Sequence, residues 1–140
     1  MKILVPVDGS PTSLNAVDTA CDLAKAQGAA VVLLAVVPEL YDLEDGGHFV
    51  VEKMQRQAEA ALTLGKNQAQ AKGVTPGSLI ARGPSIAEEI VGAANKEKAD
   101  LVVIGSRGTG VKTSAFLGGT ASKVVMLSSC SVLVVKKQEG

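Results

Sequence analysis

The chain has 140 residues and carries 14 basic and 14 acidic side chains, so its formal net charge is zero. Such a balance creates no overall field that would attract DNA or an anionic membrane surface, and a content of only 2% aromatic residues argues against a stacking surface for single-stranded nucleic acid. The hydrophobic share of 46% is typical of a folded chain. We therefore expect one domain over residues 1–140, with neither nucleic acid nor a membrane as its partner.

The first residues and the cysteines indicate the cellular compartment of the protein. Residues 1–5 lead directly into a strand pattern and show no signal-peptide pattern. The longest apolar run, Ala29–Val37, is less than half of the roughly 20 residues that span a bilayer. Cys21 and Cys130 have neither metal-ligand nor C-x-x-C spacing, and they fit reduced thiols packed as small core residues. We expect a cytoplasmic protein.

The N-terminal part of the chain predicts a strand, a helix and a second strand. Lys2–Val7 is an apolar, β-branched run that is typical of a buried strand. Ser10 is suited to cap a helix that begins at Pro11, since serine can accept from the free N–H groups of the first turn. Apolar residues then recur at helical spacing as far as Gln27, and Ala30–Val37 predicts the second strand.

The middle of the chain predicts a long helix, a short strand and a third helix. The long helix covers approximately Phe49–Lys72, and the helical spacing places Leu64 on its buried face. Ser78–Ala81 predicts the short strand. An S-x-x-E pattern that starts at Ser85 is a capping box for a helix that runs to about Lys98.

The last part of the chain completes an alternating order of strands and helices. Leu101–Gly105 predicts the fourth strand, Gly119–Leu127 the fourth helix and Val132–Val135 the fifth strand. Apolar strands separated by helices predict a parallel sheet that is covered on both faces. Right-handed crossovers then give a doubly wound five-stranded α/β fold of the Rossmann or flavodoxin-like kind, with the strand order 3-2-1-4-5.

A glycine-rich stretch follows the fourth strand, and it lies where this fold binds ligands. Ligands of doubly wound sheets bind at the carboxyl ends of the strands, here between the first and fourth strands, which end at Asp8 and Gly105. Gly105, Gly108 and Gly118 have the spacing G-x2-G-x9-G, which lets backbone amides approach an anion, and a helix beginning at Gly119 adds its positive N-terminal end. The stretch predicts a phosphate cradle; the alternative is a tight turn with a glycine-rich surface loop.

Three charged side chains near this crevice have two interpretations each. Asp8 could bind a ribose hydroxyl or a base, or help to hold Mg²⁺ on phosphates, or it could satisfy nearby backbone amides. Arg107 and Lys112 could neutralise phosphate charge, or they could be solvated loop residues. Ser10 has no neighbouring base, and the sequence contains no Walker P-loop. These residues indicate phosphate binding without an assembled catalytic apparatus.

Three segments together resemble the universal stress protein family, and the match covers essentially the whole chain. They are V-P-V-D-G-S from Val5, G-S-R-G from Gly105 and S-V-L-V-V from Ser131. The resemblance implies an adenine-nucleotide-binding α/β fold, a role in stress tolerance with a protein partner that the sequence does not name, and a homodimer formed largely through Val132–Val135. Such a dimer makes physical sense, because an edge strand as apolar as this one needs cover.

The resemblance extends to the ATP-binding branch of the family, whose signature is G-x2-G-x9-G-[ST]. It implies ATP, together with Mg²⁺, as the ligand. Gly105, Gly108 and Gly118 would face the ribose and phosphates, Asp8 the nucleoside, and the apolar residues of the first, second and fourth strands the adenine. The residues predicted to bind nucleotide are Pro6, Val7, Asp8, Val36, Ile104, Gly105, Arg107, Gly108, Gly118, Gly119 and Thr120, with Asp8 also a candidate ligand of Mg²⁺.

One position departs from that signature. Gly119 stands where the family has Ser or Thr, and Thr120 follows one residue later. A missing hydroxyl would remove a phosphate hydrogen bond worth about 1.5–3 kcal/mol, or one to two orders of magnitude in affinity, although the amides remain and Thr120 could substitute. The prediction is an ATP-binding stress-response module. The alternatives are a slow ATPase or a phosphoryl or nucleotidyl transferase, and an interaction protein with a vestigial site.

Overall fold

The computed structural model describes residues 1–39, 47–106 and 118–136, the side chains of residues 47–49 excepted. Strands and helices alternate along the chain. The strands are β1 (Lys2–Pro6), β2 (Ala30–Pro38), β3 (Gly77–Gly83), β4 (Leu101–Gly105) and β5 (Ser131–Val135). The helices are α1 (Pro11–Gln27), α2 (Gly47–Ala71), α3 (Ile86–Glu97) and α4 (Gly119–Leu127). Every predicted element is present.

The strands form one parallel sheet in the order β3-β2-β1-β4-β5. The order confirms the predicted doubly wound arrangement, in which the chain first builds the sheet outward through β2 and β3 and then returns to the other side of β1 with β4 and β5. The point where the direction reverses lies between β1 and β4. β3 and β5 are the two edges.

The helices cover the sheet on both faces, and each face has its own apolar cluster. On one face, Ala16 and Val17 of α1 and Ala61 of α2 pack with buried strand residues such as Leu33. The other cluster contains buried residues of α3 and α4 that pack against the opposite side of the strands, namely Ala87, Ile90, Ala94, Ala121 and Val124. Burial on both sides explains why the central strands are apolar at every position instead of alternating.

Serine side chains cap the starts of two helices as the sequence predicts. The Ser10 hydroxyl accepts from the Ser13 N–H at 3.2 Å at the start of α1, and Gly28 ends that helix with a φ of 68°. The Ser85 hydroxyl accepts from the Glu88 N–H at 3.3 Å at the start of α3. Each cap satisfies one N–H that has no partner inside the helix.

The prediction for Leu64 is wrong. Its side chain is 47% exposed, because the buried face of α2 consists of Ala58, Ala61, Leu62, Gly65 and Ala69 and does not include Leu64. A Cβ at Gly65 would lie 3.0 Å from Leu33 Cδ1. The missing side chain therefore lets α2 approach the sheet closely at this point.

Candidate functional site

A crevice opens between β1 and β4 because the two strands pair over only part of their length. Their register joins Ile3 to Leu101 and Leu4 to Val102. By contrast, β1 stays paired with β2 as far as Pro6. The carboxyl halves of β1 and β4 are therefore free to separate, which places an opening at the reversal point of the sheet.

Pro6 accounts for the end of that ladder. The Val7 N–H donates to Leu34 O on β2, whereas Lys2 O accepts from the Asp100 N–H beside β4, both at 2.8 Å. Because successive residues of a strand direct their N–H and C=O groups to opposite sides, the even-numbered residues of β1 face β4. Pro6 is one of them and has no N–H, so it cannot extend the hydrogen bonds to β4.

The crevice continues into a cavity of about 350 Å³, which is the size range of small-molecule sites. Its walls contain every predicted nucleotide-binding residue that the structure describes: Pro6, Val7, Asp8, Val36, Ile104, Gly105, Gly118, Gly119 and Thr120. Arg107 and Gly108, like Lys112, lie outside the described residues. Among the lining residues that are described, Asp8 is the only charged one.

Asp8 belongs to a small hydrogen-bonded network at the start of α1. Its Oδ1 accepts from the Ser10 N–H at 2.9 Å, and its own N–H donates to Ser13 Oγ at 3.4 Å. The Ser13 hydroxyl in turn donates to Ser10 O at 3.0 Å. Ser10 and Ser13 are both buried. The network fixes Asp8 at the mouth of the cavity and uses the polar groups of both serines locally.

The start of α4 forms the opposite wall and is built differently. Gly118 occupies the cap position and offers no side-chain hydrogen bond, and the first turn contains no acidic residue. The first N–H groups of a helix have no partner inside it. The amides of Gly119 and Thr120 therefore present donors at this wall, and the positive end of the helix adds to them.

Ser106 connects this wall to the sheet. Its carbonyl accepts from the Gly118 N–H at 2.6 Å, and its N–H donates to Val135 O, the last residue of β5, at 2.8 Å. Ser106 is buried and lines the cavity. The end of β4, the end of β5 and the start of α4 thus meet at one residue.

Gly105 has a structural reason for being glycine that the spacing of the motif did not reveal. A Cβ at this position would lie 2.8 Å from Thr12 Cγ2 and 3.0 Å from the backbone carbon and oxygen of Thr12. The first turn of α1 therefore packs directly onto the end of β4. The close approach brings the beginnings of α1 and α4 to the same cavity.

Sequence reasoning missed the helical walls of the cavity. Met54, Gln57 and Ala61 of α2 and Ile86 and Ile90 of α3 line it. The apolar members of this group have the spacing of a core-facing stripe, and a stripe that faces a cavity looks the same as one that faces a sheet. Apart from Gln57, these helical residues add apolar surface to that of the strands. The wall at the start of α4, by contrast, presents backbone amides.

The cysteines have no part in this site. Neither of them lines the cavity. Cys21 is fully buried in the α1 cluster, and burial raises the pKa of its thiol, which disfavours the reactive thiolate. In the part of the chain that the structure describes, no three side chains of the His, Cys, Asp or Glu type converge as metal ligands. None of the helices described there combines the length and apolar character needed to cross a bilayer.

Comparison with known proteins gives a consistent result over the whole chain. A family model described as the universal stress protein family matches residues 1–136. A universal stress protein of Methanocaldococcus jannaschii is 35% identical over 140 residues, which cover 97% of this chain and 82% of the relative.

Solved structures match the fold as well. The universal stress protein UspA from Lactobacillus plantarum has a TM-score of 0.84 at 25% identity, covering 96% of this chain and 97% of that chain. A universal stress protein in complex with cAMP has a TM-score of 0.76 at 26% identity, and 96% of each chain is covered.

Proposed function

This chain belongs to the universal stress protein family, and we propose that it binds ATP in the cavity between β1 and β4. The observation that carries the proposal is the division of this cavity into an apolar strand side and the start of α4, whose first turn has no side-chain cap among the described residues. A flat base suits the first wall and phosphates suit the second. The relative that binds cAMP supports an adenine nucleotide as the ligand class.

In this proposal, different residues bind the adenine, the nucleoside and the phosphates. Pro6, Val36 and Ile104 bury the adenine, and Asp8 accepts from the nucleoside. The amides of Gly119 and Thr120 donate to phosphate, with Arg107 and Gly108 as further predicted contacts. Among the described residues, other than its neighbours in the chain and its own helix, none places an atom within 4 Å of a Cβ built at Gly119.

Magnesium fits the same arrangement as a companion of the phosphates. Mg²⁺ is usually held by one or two carboxylates together with phosphate oxygens, and Asp8 supplies a carboxylate to the described part of the cavity lining. When bound, the ion would neutralise phosphate charge. Asp8 would then serve either this ion or the ribose, and it is the first residue to substitute in separating the two roles.

We propose a binding protein and not an enzyme. Phosphoryl transfer requires a group that positions the attacking water or hydroxyl. Within the described part of the lining, Asp8 is the only ionisable candidate, and one of its oxygens already accepts from the Ser10 N–H. Turnover of ATP that is lost in an Asp8→Asn variant with intact binding would instead identify a slow ATPase.

The proposed role is that of a cytoplasmic stress-response module, one domain over residues 1–140, that passes its nucleotide state to a protein partner. We propose that it is a homodimer joined through Val132–Val135. The support is that β5 is an edge of the sheet whose valines are only partly buried within one chain. Pairing with a second copy would cover them.

Thermal unfolding with and without millimolar Mg-ATP tests the proposal. A ligand that binds only the native state at about 100 times its Kd adds about 2.7 kcal/mol, or roughly 8–10 °C in Tm for a chain of this size. The informative variant is Gly119→Asp. A carboxylate at the start of α4 is expected to stabilise the free protein by about 0.3–1 kcal/mol and to repel phosphate, so the ATP-dependent shift disappears.

The neutral variant Gly119→Asn is the matched control, since it adds a side chain of the same shape without charge. It is expected to keep most of the shift. If wild type shows no shift with any adenine nucleotide, the cavity is vestigial and the chain is an interaction protein.

A further inference from the structure

β5 is the strand whose attachment depends most directly on the wall of the cavity. It has one neighbour, β4, with which it pairs from Ser131 to Val135. All of its side chains are partly or fully exposed. Val132, Val134 and Val135 pack partly against the two apolar clusters, and the ladder to β4 and the two ends supply the rest of the attachment of this edge strand.

Both ends of β5 lead back to the cavity. At the carboxyl end, Val135 O accepts from the Ser106 N–H. At the amino end, β5 is the continuation of α4, which itself begins at the cavity with Gly118, and Gly118 donates to Ser106 O. Ser106 and Gly118 line the cavity, whereas none of the residues of β5 does.

The helix that leads to β5 packs against α3, and the connection between α4 and β5 is tied to α3 by a hydrogen bond from Ser129 Oγ to Asn95 Oδ1 at 2.6 Å. Ala121 and Val124 are the buried residues of α4, whereas Val125, Met126 and Leu127 are exposed. Detachment of α4 and β5 as a unit would break the two hydrogen bonds at Ser106 and the ladder to β4, in addition to the contacts with α3. A ligand that bridges Ser106, Gly118 and the first turn of α4 opposes that detachment.

We infer that nucleotide binding is transmitted to the free edge of the sheet through Ser106, so that occupancy of the cavity strengthens the attachment of β5. The inference rests on the proposed function and names how the same site is coupled to a surface that lies outside it. Such coupling is reciprocal. If nucleotide binding strengthens the pairing of another strand with the open edge of β5 by some factor, then that pairing strengthens nucleotide binding by the same factor.

The backbone geometry identifies which amides report this coupling. Because Val135 O accepts from the Ser106 N–H, which directly follows β4, the backbone groups of Val135 and Leu133 face β4, and those of Val132 and Val134 face the open edge. Hydrogen exchange of the Leu133 and Val135 amides therefore measures the attachment of β5 within one chain. Hydrogen exchange of the Val132 and Val134 amides measures pairing with another strand.

The other edge of the sheet supplies a matched control. Gly83 O accepts from the Glu39 N–H, which follows β2, so the N–H groups of Leu79 and Ala81 in β3 face β2 in the same way. The residues of β3 do not line the cavity either. Its ends have no hydrogen bond to Ser106 or Gly118 among those of the described residues.

The experiment is native-state hydrogen exchange on the full chain at one protein concentration, without ligand, with Mg-ATP, and with adenosine at matched occupancy. At about 100 times its Kd, ATP is expected to slow exchange at Leu133 and Val135 by up to roughly 100-fold and to slow exchange at Leu79 and Ala81 much less. Adenosine has no phosphate to reach α4 and is expected to slow the two edges alike.

Two results would overturn the inference. Equal slowing of both edges by ATP would mean that the ligand only raises global stability. Unchanged exchange in β5, with ATP binding established by calorimetry, would mean that Ser106 does not transmit occupancy. If calorimetry detects no ATP binding, the proposed function is itself wrong, and the coupling falls with it.

Discussion

Two helices begin at the same cavity, and their first turns are built in opposite ways. The first turn of α1 has local partners for its backbone groups. The Ser10 hydroxyl accepts from the Ser13 N–H, Pro11 has no N–H, and Asp8 accepts from the Ser10 N–H. α4 begins at Gly118 without any side-chain cap. The difference indicates that α1 is fixed by the fold and that the anion capacity of the cavity lies on the side of α4.

The largest expected effect concerns the position of α1. Gly105→Val would place a branched side chain against the backbone of Thr12, which is already 3.0 Å from a Cβ at that position, and we expect a loss of about 3 kcal/mol in unfolding free energy. Urea denaturation measures it. Gly92→Ala in α3 is the control, because no described residue outside its own helix turn comes within 4 Å of a Cβ built there, and a gain of about 0.5–1 kcal/mol is expected. A stable Gly105→Val protein would show that α1 can move away from β4.

The next effect concerns the start of α4. Gly119→Ser adds the hydroxyl that the family signature has at this position, and we expect ATP affinity to rise about 10- to 100-fold, the equivalent of about 1.5–3 kcal/mol. Isothermal titration calorimetry measures the change. Gly119→Ala adds the Cβ alone and is expected to leave affinity near that of wild type. Equal gains in both variants would assign the effect to helix stability and not to a phosphate contact.

A smaller effect is expected at the start of α1. Ser10→Ala removes the cap of this helix and should cost about 1 kcal/mol of stability, while ATP affinity changes by less than about threefold, because the N–H that binds Asp8 belongs to the backbone. Ser85→Ala removes the equivalent cap of α3 and should cost a similar amount. A tenfold loss of ATP affinity in Ser10→Ala would contradict the assignment of α1 to the fold.

The smallest effect lies at the far end of α1. A hydrogen bond from Lys72 lowers the pKa of the Asp22 carboxyl, and the two charged groups are 2.8 Å apart on the surface. A lowered native-state pKa contributes stability above the unfolded-state pKa, and this contribution is lost as pH falls through the native-state value. Asp22→Asn should therefore be slightly less stable than wild type at neutral pH and should converge with it in acid, with ATP affinity unchanged. Unfolding curves across this pH range test it.

Most of the fold could be predicted from the sequence, because the central strands β1, β2 and β4 are apolar runs and glycine or a serine cap marks several helix ends. The position of the crevice follows from the rule that doubly wound sheets bind ligands at the carboxyl ends of the strands where the strand order reverses, here at Asp8 and Gly105. Leu64 was assigned to the wrong face because helical spacing does not show that Gly65 is the position of closest approach. The hydrogen-bonded role of Ser106 joins residues distant in sequence, and no local pattern carries that information.

The bond between Ser106 O and Gly118 N has a consequence for the evolution of this chain. Together with the bond from the Ser106 N–H to Val135 O, it makes one residue the meeting point of β4, β5 and α4. A substitution that displaces Ser106 would therefore disturb three elements at once, and effects of substitutions that share a contact are not additive. We expect the residues that meet at Ser106 to change together in descendants of this chain and not one at a time.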